Sequence, residues 1–158
     1  MSESEVGTSP GVEFVSHYLQ DLSFEAPFGP CPPEKLGSVD LKRDVRVGVE
    51  FRADGLHHVS VQLYTTGTLE NRTILLCELT YKALVRLHQI PDPVAPQVLG
   101  VDVPQALLPA VKRVLEDNSV FAGFPRLRLE DIDFLAVYQA AEASGQVGRP
   151  PAPTQPKA

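Results

Sequence analysis

The sequence predicts an α+β fold, a four-stranded antiparallel sheet followed by two C-terminal helices. Three observations point there. Alternating apolar and polar runs fill the first half, short turn signals separate them, and after a cluster of prolines the apolar spacing lengthens to that of a helix. The 158 residues and 43% apolar content suffice for one core.

The first strand is expected over residues 12–24, where the even positions read Val, Phe, Ser, Tyr, Gln, Leu, Phe, an imperfect period of two. A Pro/Gly-rich loop follows at residues 27–37. Over residues 45–53, Val45, Val47, Val49 and Phe51 alternate with Arg46, Gly48, Glu50 and Arg52, and Asp54-Gly55 supplies a hairpin turn. Val59, Val61 and Leu63 then stand opposite Ser60, Gln62 and Tyr64. Thr66-Gly67 with Glu70-Asn71 marks a second turn, and a fourth strand is expected over residues 72–85.

Beyond Pro91, Pro93 and Pro96, the residues Leu107, Leu108, Val111, Val114 and Leu115 form a stripe at helical spacing. Pro104 suits a first turn, Pro109 is expected to kink or delay the helix, and the stop lies near Gly123-Phe124-Pro125. A second helix begins at Asp131 or Asp133 and carries Phe134, Val137, Tyr138 and Ala141 on one side. Residues 1–11 and 145–158 are too poor in apolar residues to offset ordering entropy and are expected to be mobile tails around a single domain, residues 12–144.

Composition narrows the function. A net charge of −6 argues against nucleic acid or anionic lipid as the main partner, since both reward clustered Lys and Arg. With no Trp and 7% aromatic residues, an apolar binding surface must be mainly aliphatic. The phosphate-binding, dinucleotide-binding, nucleophile-elbow and zinc-protease motifs are all missing, so neither an enzyme nor a cofactor is expected. Cys31 and Cys77 lack metal-ligand spacing, and the four histidines, His17, His57, His58 and His88, read as surface or hairpin residues. The acidic start and the lack of roughly 20 consecutive apolar residues predict a cytosolic protein with no membrane insertion.

Residues 74–81 carry most of the information. Alternation sends Leu75, Cys77, Leu79 and Tyr81 to one face and Leu76 and Glu78 to the other, while Asp21, Ser23 and Glu25 share a face of the first strand. If those two polar faces coincide, the sheet presents an acidic patch with one exposed leucine, able to dock a basic peptide. The same residues also read as an ordinary solvated face.

The run Tyr18-Leu19-Gln20-Asp21-Leu22-Ser23-Phe24-Glu25-Ala26-Pro27 resembles the SecB family signature Y-x-x-D-x-S-F-E-x-P. In the proper order follow Leu75-Leu76-Cys77-Glu78-Leu79, Leu99-Gly100, Pro104, Leu108-Pro109, Gly123-Phe124-Pro125, and Asp133-Phe134 with Tyr138. The similarity covers roughly residues 14–143. It implies an ATP-independent chaperone that holds unfolded secretory preproteins and hands them to SecA, built as a homotetramer, a dimer of dimers. It further implies that Asp21, Glu25, Leu76 and Glu78 receive the basic, zinc-bearing C-terminal segment of SecA, and that Leu75, Cys77, Leu79 and Tyr81 line a client groove. Departures from the family pattern fall at Phe28, Val103 and Ala110.

Two other readings stay open. A SecB-like fold can serve a toxin–antitoxin pair, and an antiparallel α+β scaffold can bind a small molecule near Asp21, His17 and Tyr18. The stripe of Leu107, Val111, Val114 and Leu115 fits an oligomer interface or ordinary core.

Overall fold

The computed structural model describes residues 11–145; the tails expected at residues 1–11 and 145–158 lie almost wholly outside the described residues. Four strands, β1 (Val12–Glu25), β2 (Asp40–Glu50), β3 (His57–Leu69) and β4 (Arg72–Leu87), form one antiparallel sheet in the order β1-β4-β3-β2. The first strand therefore pairs with the last, and β1 and β2 occupy opposite edges. The proline-rich connection between them crosses the end of the sheet and contains a short 3-10 turn, Pro33–Ser38.

The imperfect alternation of β1 has a local cause. Its register with β4 shifts between Phe14 and Ser16 and again between Leu19 and Asp21, so Val15 and Gln20 are extra residues in the ladder. Each bulge moves the following side chains to the other face. The inward set is consequently Phe14 opposite Val85, His17 opposite Ala83, Leu22 opposite Leu79 and Phe24 opposite Cys77.

Two turns differ from expectation in instructive ways. Asp54-Gly55 does reverse the chain: Gly55 has φ +78°, and the Asp54 carboxylate accepts a hydrogen bond from the Leu56 amide at 3.0 Å. Thr66-Gly67, however, remains inside β3, where Gly67 faces Leu75 so closely that a Cβ would stand 3.2 Å from the leucine Cβ. The reversal falls at Glu70 and Asn71, with φ of 51° and 62°, as a two-residue hairpin turn requires. β2 also begins five residues before the Val45 of the alternating run, because its early part is polar edge strand with no apolar signal to read.

One face of the sheet is covered. α1 (Ala95–Gln97) leads through a π-helical turn, Val98–Asp102, into α2 (Val103–Phe121), which lies across β3 and β4. Val59, Val61 and Leu63 of β3 and Leu79 and Ala83 of β4 pack there against Leu107, Val111 and Leu115. These last three are core; Val114 is half-buried beside them. The helix begins at Val103, so Pro109 neither delays nor interrupts it: Pro109 and Gln105, whose carbonyl loses a partner, both sit on the exposed side where water can substitute.

At the end of α2 the amide of Phe124 donates to the Ser119 carbonyl, with Gly123 at φ +84°. A Cβ on Gly123 would lie 2.7 Å from Pro30, so the same glycine also admits the crossover connection. α3 (Phe134–Ala143) starts at Asp133, whose carboxylate accepts from the Ala136 amide at 3.1 Å, while Asp131 is engaged by Lys112. Phe134 enters the main core, and α3 rests on the π turn and β2. Contact is closest at Gly100, where a Cβ would come within 2.7 Å of the Tyr138 ring. No described helix is long and apolar enough to cross a membrane.

Candidate functional site: two surfaces on one sheet

The uncovered face of the sheet carries the acidic residues singled out in the sequence. Directly paired residues share a face, and the β1–β4 register pairs Glu25 with Leu76, Ser23 with Glu78 and Asp21 with Thr80. Thus the two polar faces do coincide. The rows continue across β3 and β2, from Glu78 to Tyr64 and Asp44, and from Thr80 to Gln62 and Arg46. A shallow cavity of about 540 Å³ lies among Asp21, Asp44, Arg46, Tyr64 and Glu78.

Asp21, Glu25 and Glu78 are exposed and have no ion-pair partner among the described residues, whereas Asp44 is held by Arg46 at 3.3 Å. Leu76 is half-buried and Tyr64 exposed, so the patch combines unpaired carboxylates with an apolar contact. Tyr64 and Asp44 were not singled out in the sequence as part of this patch. Their facing was legible from alternation, but their place beside Glu78 depends on register.

The four residues expected to line a client groove are elsewhere. Leu75, Cys77, Leu79 and Tyr81 are 1%, 0%, 2% and 8% exposed, so they are core residues of the protomer and not the wall of an open groove. The alternation that puts them on one face is correct, but that face lies beneath α2 and, at Leu75, beneath Phe124 and Leu127. Tyr81 also hydrogen-bonds His17 Nδ1 through its hydroxyl at 2.7 Å. Burial, with the Glu78 charge next to it, pushes the Cys77 thiol up to about 11. Cys77 is therefore expected to resist alkylation at pH 8 in the folded protein and to react once urea unfolds it, as mass mapping of the modified peptide would register.

The open groove runs instead along the edge strand. A cavity of about 710 Å³ separates β2 from α3, with Val45, Val47, Val49, Pro96, Val137 and Tyr138 among its lining. Burial followed by the Glu142 charge raises the Tyr138 hydroxyl pKa. β2 is the last strand of the sheet, so one row of its backbone groups has no strand partner. At the turn end, His57 and His58 have pKa values lowered, chiefly by burial, and sit with Glu50, Arg52 and Asp54 in a hairpin cluster.

Comparison with known proteins sets these surfaces in context. The family described as preprotein translocase subunit SecB matches residues 5–145. The chain belongs to the SecB family. It is 36% identical over 132 residues to the protein-export protein SecB of Neisseria meningitidis serogroup B, covering 81% of this chain and 90% of that protein. It is 30% identical over 131 residues to the SecB of Hyphomonas neptunium, covering 83% and 78%. Among solved structures, the Mycobacterium tuberculosis SecB-like chaperone in complex with a peptide from the HigA1 antitoxin superposes with a TM-score of 0.65 at 12% identity, over 77% of this chain and 90% of that one. The fold is thus that of SecB-like chaperones, and the chain is a SecB-type protein-export chaperone.

Proposed function

We propose that this SecB-type protein works in the cytosol as an ATP-independent holdase, keeping unfolded secretory preproteins extended and delivering them to SecA. What carries the reading is the presence of two surfaces on one sheet: a groove beside an unpaired strand edge, and an acidic face centred on Glu78 that meets the groove only along Asp44, Arg46 and Gln62. Unfolded chains expose apolar side chains and unpaired backbone. The groove between β2 and α3 can accept both, the backbone by strand addition and the side chains among valines. Asp21, Glu25 and Glu78, with Leu76 as the apolar contact, suit the basic tail segment of SecA.

Burying a few hundred Å² per groove at about 25 cal/mol per Å² offsets only part of the ordering cost, so a single groove binds weakly. Joining copies makes later contacts intramolecular and raises avidity by roughly 10² to 10⁴. A homotetramer arranged as a dimer of dimers serves that purpose. Support comes from edge strand β1, where Val15, Tyr18 and Leu19 are exposed on a strand with one row of unpaired backbone.

The test is aggregation of a secretory precursor diluted from denaturant. Equimolar assembly is expected to suppress light scattering with no nucleotide present, and undiminished scattering would refute holding. Service to a toxin–antitoxin pair is the second reading, prompted by the antitoxin peptide in the mycobacterial complex. Binding to a cognate antitoxin with no binding to a SecA tail peptide would favour it.

A further inference from the structure

At the turn that joins β2 to β3, one residue holds two adjacent histidines. The backbone amide of Arg52 donates to His57 Nδ1 at 3.1 Å, and Nη1 of its guanidinium lies 3.4 Å from His58 Nε2. An amide and a guanidinium can only donate, so both of these ring nitrogens accept and neither carries a proton. The ring proton of His57 is thereby placed on Nε2 and that of His58 on Nδ1. His58 Nδ1 is itself buried with no hydrogen-bond partner among the described residues, and the Glu50 carboxylate stands 4.0 Å from it, beyond hydrogen-bond reach. Arg52 therefore locks both rings in the neutral form.

The surroundings divide into groups that favour a second proton and groups that oppose it. Asp54 favours charging of both rings, and Glu50, which pairs with His58 across the β2–β3 ladder, favours it at His58. Burial opposes it at both and outweighs the carboxylates, joined by His58 against His57 and by Lys82 and Arg52 against His58. Lys82 belongs to β4, two positions from the Leu84 that pairs with His58; two positions the other way stands Arg86, paired with Glu13 of β1. Geometry adds a further obstacle. A second proton on either ring must sit on the nitrogen that already faces an N–H of Arg52, donor against donor.

We infer that residues 50–58 form an acid-sensitive clasp: a second proton on His57 and on His58 breaks both contacts with Arg52 and releases the turn end of edge strand β2 from β3. Arg52 is also the residue on which the turn closes, since its carbonyl accepts from the Gly55 amide at 3.0 Å. The opened turn binds more protons than the closed one. The clasp is therefore fully shut above the ordinary histidine value of about 6.5 and loosens as the pH falls below it. Gly48 and Val49 line the groove between β2 and α3, which places the clasp at one end of that groove. Its bearing on client holding rests on the function proposed above.

The test is hydrogen exchange of the full chain, read by mass spectrometry at pH 7.5 and 5.5 and corrected for the intrinsic pH dependence of exchange. One pH unit below its ordinary value, a ring that takes its second proton only in the open turn multiplies opening by about tenfold. Residues 47–60 are accordingly expected to lose about tenfold or more in protection, while residues 74–83 of β4 keep theirs. His57→Gln with His58→Gln keeps an acceptor oxygen for Arg52 but cannot titrate, and is expected to remain protected at both pH values. Arg52→Gln alters only an exposed side chain and spares the backbone amide, so about a threefold loss is expected to remain. Equal loss in the wild type and the double variant, a full loss in Arg52→Gln, or uniform loss throughout the sheet overturns the inference. Precursor holding at pH 5.5 is expected to fall about threefold in the wild type and not in the double variant. Unchanged holding there overturns the link between clasp and groove, whereas holding absent already at pH 7.5 strikes the proposed function and not the clasp.

Discussion

Replacing Phe134 by alanine is expected to destabilise the protein by about 3–5 kcal/mol, the largest effect of any single truncation considered for this fold. Phe134 is 1% exposed and packs in the main core with Leu129 and Ile132, yet it belongs to a helix of only 10 residues. A helix that short has little stability of its own, so its place depends on what it buries. Val137 and Tyr138 are only half-buried, and Tyr138 leans on the bare backbone of Gly100, which leaves Phe134 as the principal anchor. Urea unfolding followed by circular dichroism measures the loss. Because α3 also walls the groove along β2, peptide binding should weaken in the same variant. A cost under about 1 kcal/mol would mean that Phe134 is not packed as described.

Glu78→Lys is expected to abolish measurable binding of a SecA tail peptide while preprotein holding persists. Glu78 is exposed and unpaired, so the substitution leaves the core untouched. It replaces an attraction for a basic peptide by a repulsion at the centre of the patch, between Ser23 of β1 and Tyr64 of β3. A charge contact near a protein surface is worth roughly 1–4 kcal/mol at about 4 Å, and reversing its sign changes affinity by at least about tenfold. Titration calorimetry at low salt reads the difference, and unchanged affinity would sink the docking role. Aggregation assays on the same variant report whether the groove along β2, which Glu78 does not line, is spared.

Much of this was legible before any coordinates. The strict alternation from Val45 to Phe51 and in Val59, Val61 and Leu63 reported a sheet with one covered face, because only side chains facing a core need to be uniformly apolar. Period-two spacing put Asp21 with Glu25 and Leu76 with Glu78, each pair on one face of its own strand, but that the two faces coincide follows only from the register of β1 with β4. What could not be read was which face α2 covers. Leu75, Cys77, Leu79 and Tyr81 form an oily row that suits a groove or a core equally well, and only the docking of the helix settles the matter. The bulges at Val15 and Gln20 leave no composition signal, and neither does the extension of β2 back to Asp40. The groove itself arises from an absence, the missing neighbour of β2, which no residue spells out.

The pairing of first strand with last has a consequence for how the molecule comes into being. Glu13 and His88, joined in the finished protein by a 2.8 Å contact, lie 75 positions apart in the chain. At a synthesis rate of about 5–20 residues per second, β1 must wait on the order of 4–15 s after leaving the ribosome before β4, its neighbour in the sheet, emerges. For that interval a nascent copy of this chaperone displays the kind of naked, sticky strand that it is proposed to shelter in others, and its own biogenesis is a small instance of the problem it answers.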